Sequence, residues 1–311
     1  MQKKVIYELN ALYREPMRVT GYVFGDCSDG EKTVCVVGSM RGNEVQQMYA
    51  CSRLIQRLKK LEEQRAVAEG KSILVIPCVN SYSMNIGKRF WSTDNTDINR
   101  MFPGYSEGET TQRIAAGVFE AVKDYQIGIQ FASNYMPGRF LPHIRMMKTG
   151  FEDIETAKKF AFPYVITHGA RPFDTTTLNY NWQIWETKAF SIYTTDTDEI
   201  DRRSAADAVK GIEHMLNSEG VLHSSITGGY HYNSQVLCDD DLLSVRCSAA
   251  GIYENKVYVG EEVYEGQLLA EITDPYEGTL LEQLVAPRDG TVFFQHKAPL
   301  IYADTAAVKL V

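Results

Sequence analysis

The sequence has no long apolar segment, no paired-cysteine motif and no surplus of positive charge. Its longest hydrophobic runs fall well short of the ~18 residues that a membrane-spanning helix needs, and its six cysteines show no CxxC spacing. Lys and Arg together number 32 against 40 Asp and Glu, which gives a formal net charge of −8. Because nucleic acids and anionic membranes are bound by clustered basic side chains, we expect neither as a partner. We expect a cytoplasmic protein whose thiols are reduced and mostly buried.

Several familiar catalytic signatures are also missing. The sequence contains no GxSxG, P-loop or GxGxxG motif, which weakens interpretations as a serine hydrolase, an NTPase or a dinucleotide-binding protein. Its six histidines include no HExxH or HxxE pair that would place two metal ligands on one helix face. His143 and His168 each follow a strand-like run, and they are the better histidine candidates for a functional site.

The order of apolar patterns predicts an α/β fold with a mixed, largely parallel sheet flanked by helices. The run "TVCVV" is followed by helical periodicity over about residues 43–66 and then by the strand-like "SILVIPCVN", an order that favours a right-handed crossover. After about residue 235 the chain changes to short β-type runs separated by glycine turns. We therefore expect an α/β domain over residues 1–228 and a small all-β domain over residues 229–311.

Two polar segments follow the first predicted strands of this sheet. They are "GSMRGNE" and the longer "SYSMNIGKRFWSTDNTDINRMFPGYSEGE". Ligands of α/β proteins bind where such strands end, so we expect these segments to border a functional site. Arginine and asparagine side chains recognise carboxylates, and the arginine fork binds them in bidentate fashion. The alternative is an arginine-rich surface loop that is held in place by its own Asp94 and Asp97.

Three blocks of the sequence resemble the succinylglutamate desuccinylase/aspartoacylase family. They are "GSMRGNE", "IPCVNSYSMNIGKRFWSTDNTDINRMFPG" and "QFASNYMPGRFLPHIR", in that order. The resemblance implies a zinc carboxypeptidase-like fold, and the C-terminal region looks like the small β-module of that family. Family members hydrolyse N-acyl amino acids or related small amides with one zinc ion. A small carboxylate or an N-acyl amino acid is therefore the implied partner, and zinc is the implied cofactor.

Most of the family's metal-site and base positions are changed in this sequence. The resemblance implies that Glu44 is a metal ligand, whereas Arg41 stands at the position of the family's first histidine ligand. An ungapped alignment of the third block places Ala132 at the position of the last histidine ligand. Tyr193 stands where the family has its general-base glutamate, so Glu44 is the one matching residue of these four.

The carboxylate-binding positions of the family are kept. By the resemblance, Arg89, Asn99 and Arg100 polarise the substrate carbonyl and hold its carboxylate. Arg145, in the third block, belongs to the same substrate pocket, and His143 lies two residues before it. Arg89 and Tyr193 are accordingly the candidate catalytic residues of an enzyme with this altered centre.

Arg41 is hard to reconcile with zinc at this position. Catalytic zinc takes three protein ligands and keeps one position for water. A guanidinium at ~4 Å would oppose a dication by about 8 kcal/mol at an effective dielectric constant near 20. We hypothesise that Arg41 replaces the metal, pairs with Glu44, and helps Arg89 and Arg100 to hold an anionic ligand.

The sequence leaves several functions open. One is a hydrolase of small amides that works through an altered centre, and another is a non-catalytic pseudoenzyme that binds a small carboxylate. A relocated metal could use His143, His168, Cys35 or Glu186, and a metal-free hydrolase could use Tyr193 as acid or base. Trp182 and Trp185 either line the pocket or pack beside it, and self-association into a homo-oligomer also stays open.

Overall fold

The computed structural model describes residues 1–10, 15–25, 31–133, 136–224 and 233–311. The chain divides into two compact units, one formed by Met1–Ala132 and Pro142–Val236 and the other by Ser133–Leu141 and Leu237–Val311. The expected domain boundary between residues 228 and 229 lies outside the described residues, as do Cys27 and His231.

The elements are numbered along the chain. The strands are β1 Gln2–Leu9, β2 Met17–Gly25, β3 Glu31–Ser39, β4 Lys71–Cys78, β5 Ile127–Ala132, β6 Gly138–Phe140, β7 His143–Lys148, β8 Tyr164–Gly169, β9 Lys188–Tyr193, β10 Gln235–Cys238, β11 Leu243–Arg246, β12 Gly251–Asn255, β13 Glu262–Val263, β14 Leu268–Thr273, β15 Leu280–Val285, β16 Gly290–His296, β17 Leu300–Ile301 and β18 Ala306–Leu310. The α-helices are α1 Val45–Glu63, α2 Ser81–Met84, α3 Thr110–Val122, α4 Ile154–Lys158, α5 Leu178–Ile184 and α6 Arg202–Ser218. Short 3₁₀ turns lie at Ile98–Arg100, Pro172–Asp174 and Asp239–Asp241.

The first unit is built on a nine-stranded mixed sheet with the order β1-β2-β4-β3-β5-β9-β7-β8-β10. Its centre is parallel, because β3 runs parallel to both β4 and β5, and β5 runs parallel to β9. The strands outside this centre include antiparallel pairs: β2 is antiparallel to both β4 and β1, and β7 is antiparallel to β9. The predicted mixed, largely parallel α/β fold is confirmed.

Each face of the large sheet is covered by its own hydrophobic core. Residues of β3 alternate between the two cores, since Val34 and Val36 belong to one and Cys35 and Val37 to the other. Helices α1 and α6 supply side chains to the first core, and α3 and α5 supply side chains to the second. Burial on both faces explains why the central strands read as continuous apolar runs in the sequence.

The second unit contains two antiparallel sheets around a separate core. One sheet has the order β11-β18-β16-β13, with β6 also paired to β16, and the other has the order β15-β14-β12-β17. The additional strands predicted for the C-terminal region are therefore present, and β6 joins them from the middle of the chain. In the described parts of the chain, no helix is both long enough and apolar enough to cross a membrane.

Candidate binding site at the carboxyl edge of the sheet

The central parallel strands β3, β4, β5 and β9 end at one edge of the large sheet, here called the carboxyl edge. Ser39 at the end of β3 pairs with Cys78 at the end of β4, and Ala132 at the end of β5 pairs with Tyr193 at the end of β9. Because β7 runs in the opposite direction, its first residue, His143, is the one that pairs with Tyr193. The loops after β3 and β4 leave the sheet at this edge.

These two loops are joined at Gly42. A Cβ atom on this residue would lie 2.3 Å from the carbonyl oxygen of Lys88 and 2.4 Å from a backbone carbon of Ser83, so only glycine fits. The Gly42 N–H donates a hydrogen bond of 3.0 Å to the carbonyl oxygen of Arg89. Gly42, the second glycine of "GSMRGNE", thus holds the segment containing Arg41 against the segment containing Arg89.

The guanidinium of Arg41 lies between two carboxylates. Its Nη1 atom donates to Oε1 of Glu44 at 3.0 Å, while Nε and Nη2 both donate to Oδ2 of Asp97 at 3.0 and 2.8 Å. Arg41 is only 6% exposed and Glu44 only 1%. Burial by itself would lower the pKa of Arg41, but Glu44 and Asp97 together raise it. Arg41 is therefore a fixed positive charge inside the protein.

Both carboxylate oxygens of Glu44 are engaged by the same segment. Oε1 accepts from Arg41, and Oε2 accepts the backbone N–H groups of Met40 at 2.8 Å and Arg41 at 3.0 Å. The hydroxyl of Ser39 donates to the carbonyl oxygen of Glu44. Three hydrogen bonds stabilise the Glu44 carboxylate in this position. To bind a metal ion, Glu44 would have to give up its hydrogen bond from Arg41.

The donor set at the carboxyl edge does not fit a catalytic zinc ion. Zinc at such a site needs three nitrogen, sulfur or oxygen ligands. Arg41 and Ala132, which the sequence resemblance predicts at the two histidine positions, offer a guanidinium, which is a donor only, and a methyl group. Over the described ranges of the chain, no group of three His, Cys, Asp or Glu side chains is arranged to hold a metal ion.

Asn99 and Arg100 reach the site from the 3₁₀ turn that Asp97 caps. The Oδ1 atom of Asp97 accepts the backbone N–H of Asn99 at 3.0 Å, so the carboxylate that binds Arg41 also shapes this turn. The Oδ1 atom of Asn99 in turn accepts from Nε2 of Gln130 at 3.0 Å and from the N–H of Leu178 at 3.4 Å. Asn99 is thereby tied to β5 and to the first residue of α5.

Arg100 is fixed by a different segment. Its Nη1 atom donates to Oδ1 of Asp174 at 3.3 Å and to the carbonyl oxygen of Phe173. Its guanidinium carbon lies 5.2 Å from the centre of the Phe173 ring, within the range of a cation–π contact. These contacts orient Arg100 while leaving its side chain partly exposed, at 31%.

Arg89 is surrounded by the charges of the other site residues. Its pKa is lowered, first because it is partly buried and second because Arg41 and Arg100 carry the same charge, while Glu44 and Asp97 act in the opposite direction. Arg41, Arg100, Glu44 and Asp97 thus all contribute to the electrostatic environment of Arg89. An anion bound beside these residues would relieve the repulsion among the arginines.

Tyr193, His143 and Arg145 form the part of the site that lies on β7 and β9. The His143 and Tyr193 rings stack with centres 4.8 Å apart and planes inclined by 12°. The guanidinium carbon of Arg145 lies 6.0 Å from the centre of the Tyr193 ring. His143 is fully buried, whereas Tyr193 and Arg145 are partly exposed. The structure thus brings these three sequence candidates together.

Three residues considered as relocated metal ligands lie elsewhere. His168 pairs with Met147 near the far end of β7, and because β7 and β8 run together, this is the end opposite to His143. Cys35 pairs with Gly128 in the middle of the sheet, and burial raises the pKa of its thiol. Glu186 lies beyond the end of α5 and is exposed.

The two tryptophans near Glu186 have different environments. Trp182 is fully buried in the core beneath α5, whereas Trp185 is 48% exposed and packs its ring edge to face with Phe119, with centres 5.3 Å apart. Trp182 is therefore a core residue that packs over the beginning of β5.

The pairing of Asp97 with Arg41 was not predicted from the sequence. The sequence suggested, as the alternative to a functional site, that Asp97 holds its own loop in place, yet it is the second carboxylate on Arg41. A signal was available, since a buried arginine that replaces a metal ligand beside a glutamate needs additional acidic partners. Asp97 is the first residue of the "DINR" motif that supplies Asn99 and Arg100.

Comparisons with known proteins agree with this fold. The sequence profile of the succinylglutamate desuccinylase/aspartoacylase catalytic domain matches residues 30–216. The chain is 24% identical over 258 residues to an N-alpha-acetyl-L-2,4-diaminobutyric acid deacetylase of Halomonas elongata, which covers 78% of this chain and 70% of the relative.

Solved structures show the same fold at low sequence identity. A succinylglutamate desuccinylase/aspartoacylase from Rhodobacter sphaeroides superposes with a TM-score of 0.78 at 20% identity, covering 99% of this chain and 95% of that one. The product-bound ectoine utilization protein EutE (DoeB) from Ruegeria pomeroyi gives a TM-score of 0.77 at 20% identity, covering 97% and 92% of the two chains. With the profile match extending over more than half of its length, the chain belongs to the succinylglutamate desuccinylase/aspartoacylase family.

Proposed function

We propose that this protein binds a small carboxylate ligand at the carboxyl edge and uses the guanidinium of Arg41 in place of the family's zinc ion. One observation carries the proposal: Arg41 forms an ion pair with the carboxylate of Glu44 and a second ion pair with Asp97 on its opposite side. Replacing a metal ion by a buried arginine preserves a positive charge at the position while removing the Lewis acid that activates water. By this account the protein is a binder and has lost the family's hydrolysis.

The charges around Arg41 favour an anionic ligand. Arg41 is balanced by Glu44 and Asp97, and Arg100 by Asp174. Arg89 and Arg145 bring two further guanidinium groups to the same part of the protein. A carboxylate is the anion whose planar shape matches the arginine fork.

N-acyl amino acids are the class of ligand that should be tested first. Arg89, Asn99 and Arg100 match the family positions that hold a substrate carboxylate and carbonyl. The Halomonas elongata relative is named for N-alpha-acetyl-L-2,4-diaminobutyric acid, and this compound is therefore one suitable probe. Others are N-acetyl-L-aspartate and N-succinyl-L-glutamate.

A second candidate is an amide hydrolase with an altered, metal-independent centre. The observation that favours it is the stacking of His143 on Tyr193 at the position of the family's general base. A tyrosine phenol, with an ordinary pKa of about 10, is a poor base at neutral pH. The imidazole beside it is a side chain well suited to proton transfer. In this version Arg89 polarises the substrate carbonyl and the pair at His143 and Tyr193 moves the proton.

Thermal unfolding and product analysis distinguish the two candidates. The protein is incubated with the three N-acyl amino acids, with added Zn²⁺ and separately with a chelator. The fully methylated ester of each probe, in which every carboxyl group is esterified, serves as the matched ligand without a carboxylate. The binder is supported by stabilisation with the acids, weaker stabilisation with the esters, and no release of amine. Amine release that the chelator does not change supports the metal-independent enzyme. Amine release that depends on Zn²⁺ contradicts both.

A further inference from the structure

Asn179 has a buried side-chain amide to which the described residues offer no hydrogen bond. The side chain lies on α5 and is 2% exposed, and among the described residues neither its Oδ1 nor its Nδ2 has a hydrogen-bond partner. Asn181, two residues further along the same helix, behaves differently, because its Nδ2 donates to the carbonyl oxygens of Thr175 and Thr177 at 3.0 and 2.8 Å. A buried polar group that forgoes its hydrogen bonds destabilises the protein unless something else pairs with it.

The orientation of α5 places its first turn at the carboxyl edge. Its first residue, Leu178, donates its N–H to Asn99, which is also bonded by Gln130 on β5. One turn later the indole of Trp182 lies over Gly128, where a Cβ would come within 2.6 Å of the ring. The helix therefore runs antiparallel to β5, from the site toward the opposite end of the strand.

Asn179 lies on the side of α5 that faces β7. Gln183 follows it by four residues, hence on the same side of the helix, and its Nε2 donates to the carbonyl oxygen of Met147 on β7 at 3.1 Å. Moving back four helical residues covers about 6 Å, close to the roughly 6.6 Å between Met147 and Arg145 along the strand. Asn179 is therefore level with Arg145 along the direction of β7.

Arg145 belongs to a polar row across the sheet. It pairs with Ser191 on β9, and Ser191 pairs with Gln130 on β5. The next row toward the edge contains His143 and Tyr193. The unpaired amide thus stands beside the polar part of the sheet that contributes to the proposed ligand site.

We propose that Asn179 determines ligand specificity, and that it pairs with a carboxamide or ureido group of the same ligand whose carboxylate the arginines hold. Oδ1 and Nδ2 lie side by side, so a partner that presents a donor and an acceptor on one edge satisfies both atoms. Primary carboxamides and ureido groups have that edge, whereas the N–H and C=O of a trans secondary amide point in opposite directions. This inference rests on the proposed function and narrows its ligand class to carboxylates such as N-carbamoyl amino acids.

Two isosteric probes and two variants test the inference. N-carbamoyl-L-aspartate and N-acetyl-L-aspartate differ only by an amino group in place of a methyl group, and their dissociation constants are measured by calorimetry. The native protein should bind the carbamoyl compound at least about tenfold more tightly, since one further buried hydrogen-bonded pair is made. Asn179→Leu should remove this preference, and without ligand it should unfold at a temperature equal to or above that of the native protein.

Asn181→Ala is the matched control on the same helix. It removes two structural hydrogen bonds, so it should lower the unfolding temperature and keep the preference for the carbamoyl probe. Equal binding of both probes by the native protein overturns the inference and leaves the proposed function standing. So does an Asn179→Leu variant that loses thermal stability and keeps the preference. If neither acid binds to the native protein, the proposed function and this inference both fail.

Discussion

Arg41 and Asp97 are 56 positions apart in the sequence and are joined by two hydrogen bonds, from Nε and Nη2 to a single carboxylate oxygen at 3.0 and 2.8 Å. With Glu44 on the remaining side, the guanidinium is enclosed by two carboxylates in a region with little access to water. In such surroundings an ion pair is held firmly, because separating it leaves charges without water to solvate them. This arrangement gives Arg41 a structural role in addition to its proposed role in ligand binding.

Substitution of Arg41 should therefore destabilise the protein strongly. Arg41→Met leaves the buried Glu44 carboxylate and the partly buried Asp97 carboxylate without their common partner, and breaking a buried pair costs about 3–5 kcal/mol. The free energy of unfolding in urea measures this loss. Arg18→Met is the control, because Arg18 pairs with Glu8 at the surface and its loss should leave the urea midpoint nearly unchanged. A small effect at Arg41 would contradict the description of a tightly held charge.

Ligand binding should depend on Arg100 and not on a nearby arginine. Arg100→Gln removes a charged donor to the ligand carboxylate, and we expect a dissociation constant about 10 to 100 times larger. Arg171→Gln is the matched control, since its guanidinium contacts the same Phe173 ring at 5.8 Å but belongs to an exposed residue. Calorimetric titration with N-acetyl-L-aspartate measures both variants. An equal loss of affinity in the two variants would indicate a general effect of charge.

Arg57 on α1 forms an ion pair with Glu213 on α6, and this pair should make the free energy of unfolding depend on pH. Burial alone would raise the pKa of Glu213, but hydrogen bonds from Arg57 and Ser224 outweigh it, and the pKa is lowered. A carboxyl whose folded pKa is depressed stabilises the protein above its unfolded pKa of about 4.3, and this stabilisation disappears as the pH falls through the folded value.

The variant Glu213→Gln measures this dependence. The difference in unfolding free energy between the native protein and the variant should be large at neutral pH and should shrink steadily below about pH 4. Urea unfolding at several pH values provides the comparison. A difference that does not change with pH would mean that the ion pair with Arg57 contributes nothing to stability.

The sequence supported the fold and the first loop of the site better than the parts contributed by distant strands. The α/β order followed from local periodicity, and Arg41 and Glu44 are three residues apart, so their pairing needed only one turn of chain. The role of Asp97 was not visible, because it depends on how the loops after β3 and β4 pack together at Gly42. His168 was a reasonable candidate as a strand-end residue, yet its strand runs toward the opposite end of the sheet, and strand direction is not encoded in local pattern. Asn179 could be recognised only after its burial and lack of partners were known.

The exclusion of zinc by Arg41 can be tested directly on crystals of the native protein soaked with Zn²⁺. Anomalous scattering at the zinc edge locates bound ions, and the double variant Arg41→His/Ala132→His serves as the positive control, since with Glu44 it restores three ligands. We expect no anomalous peak at Glu44 in the native protein, with Arg41 still between Glu44 and Asp97, and a peak in the double variant. A zinc peak on Glu44 in the native protein, with Arg41 displaced, would contradict the exclusion.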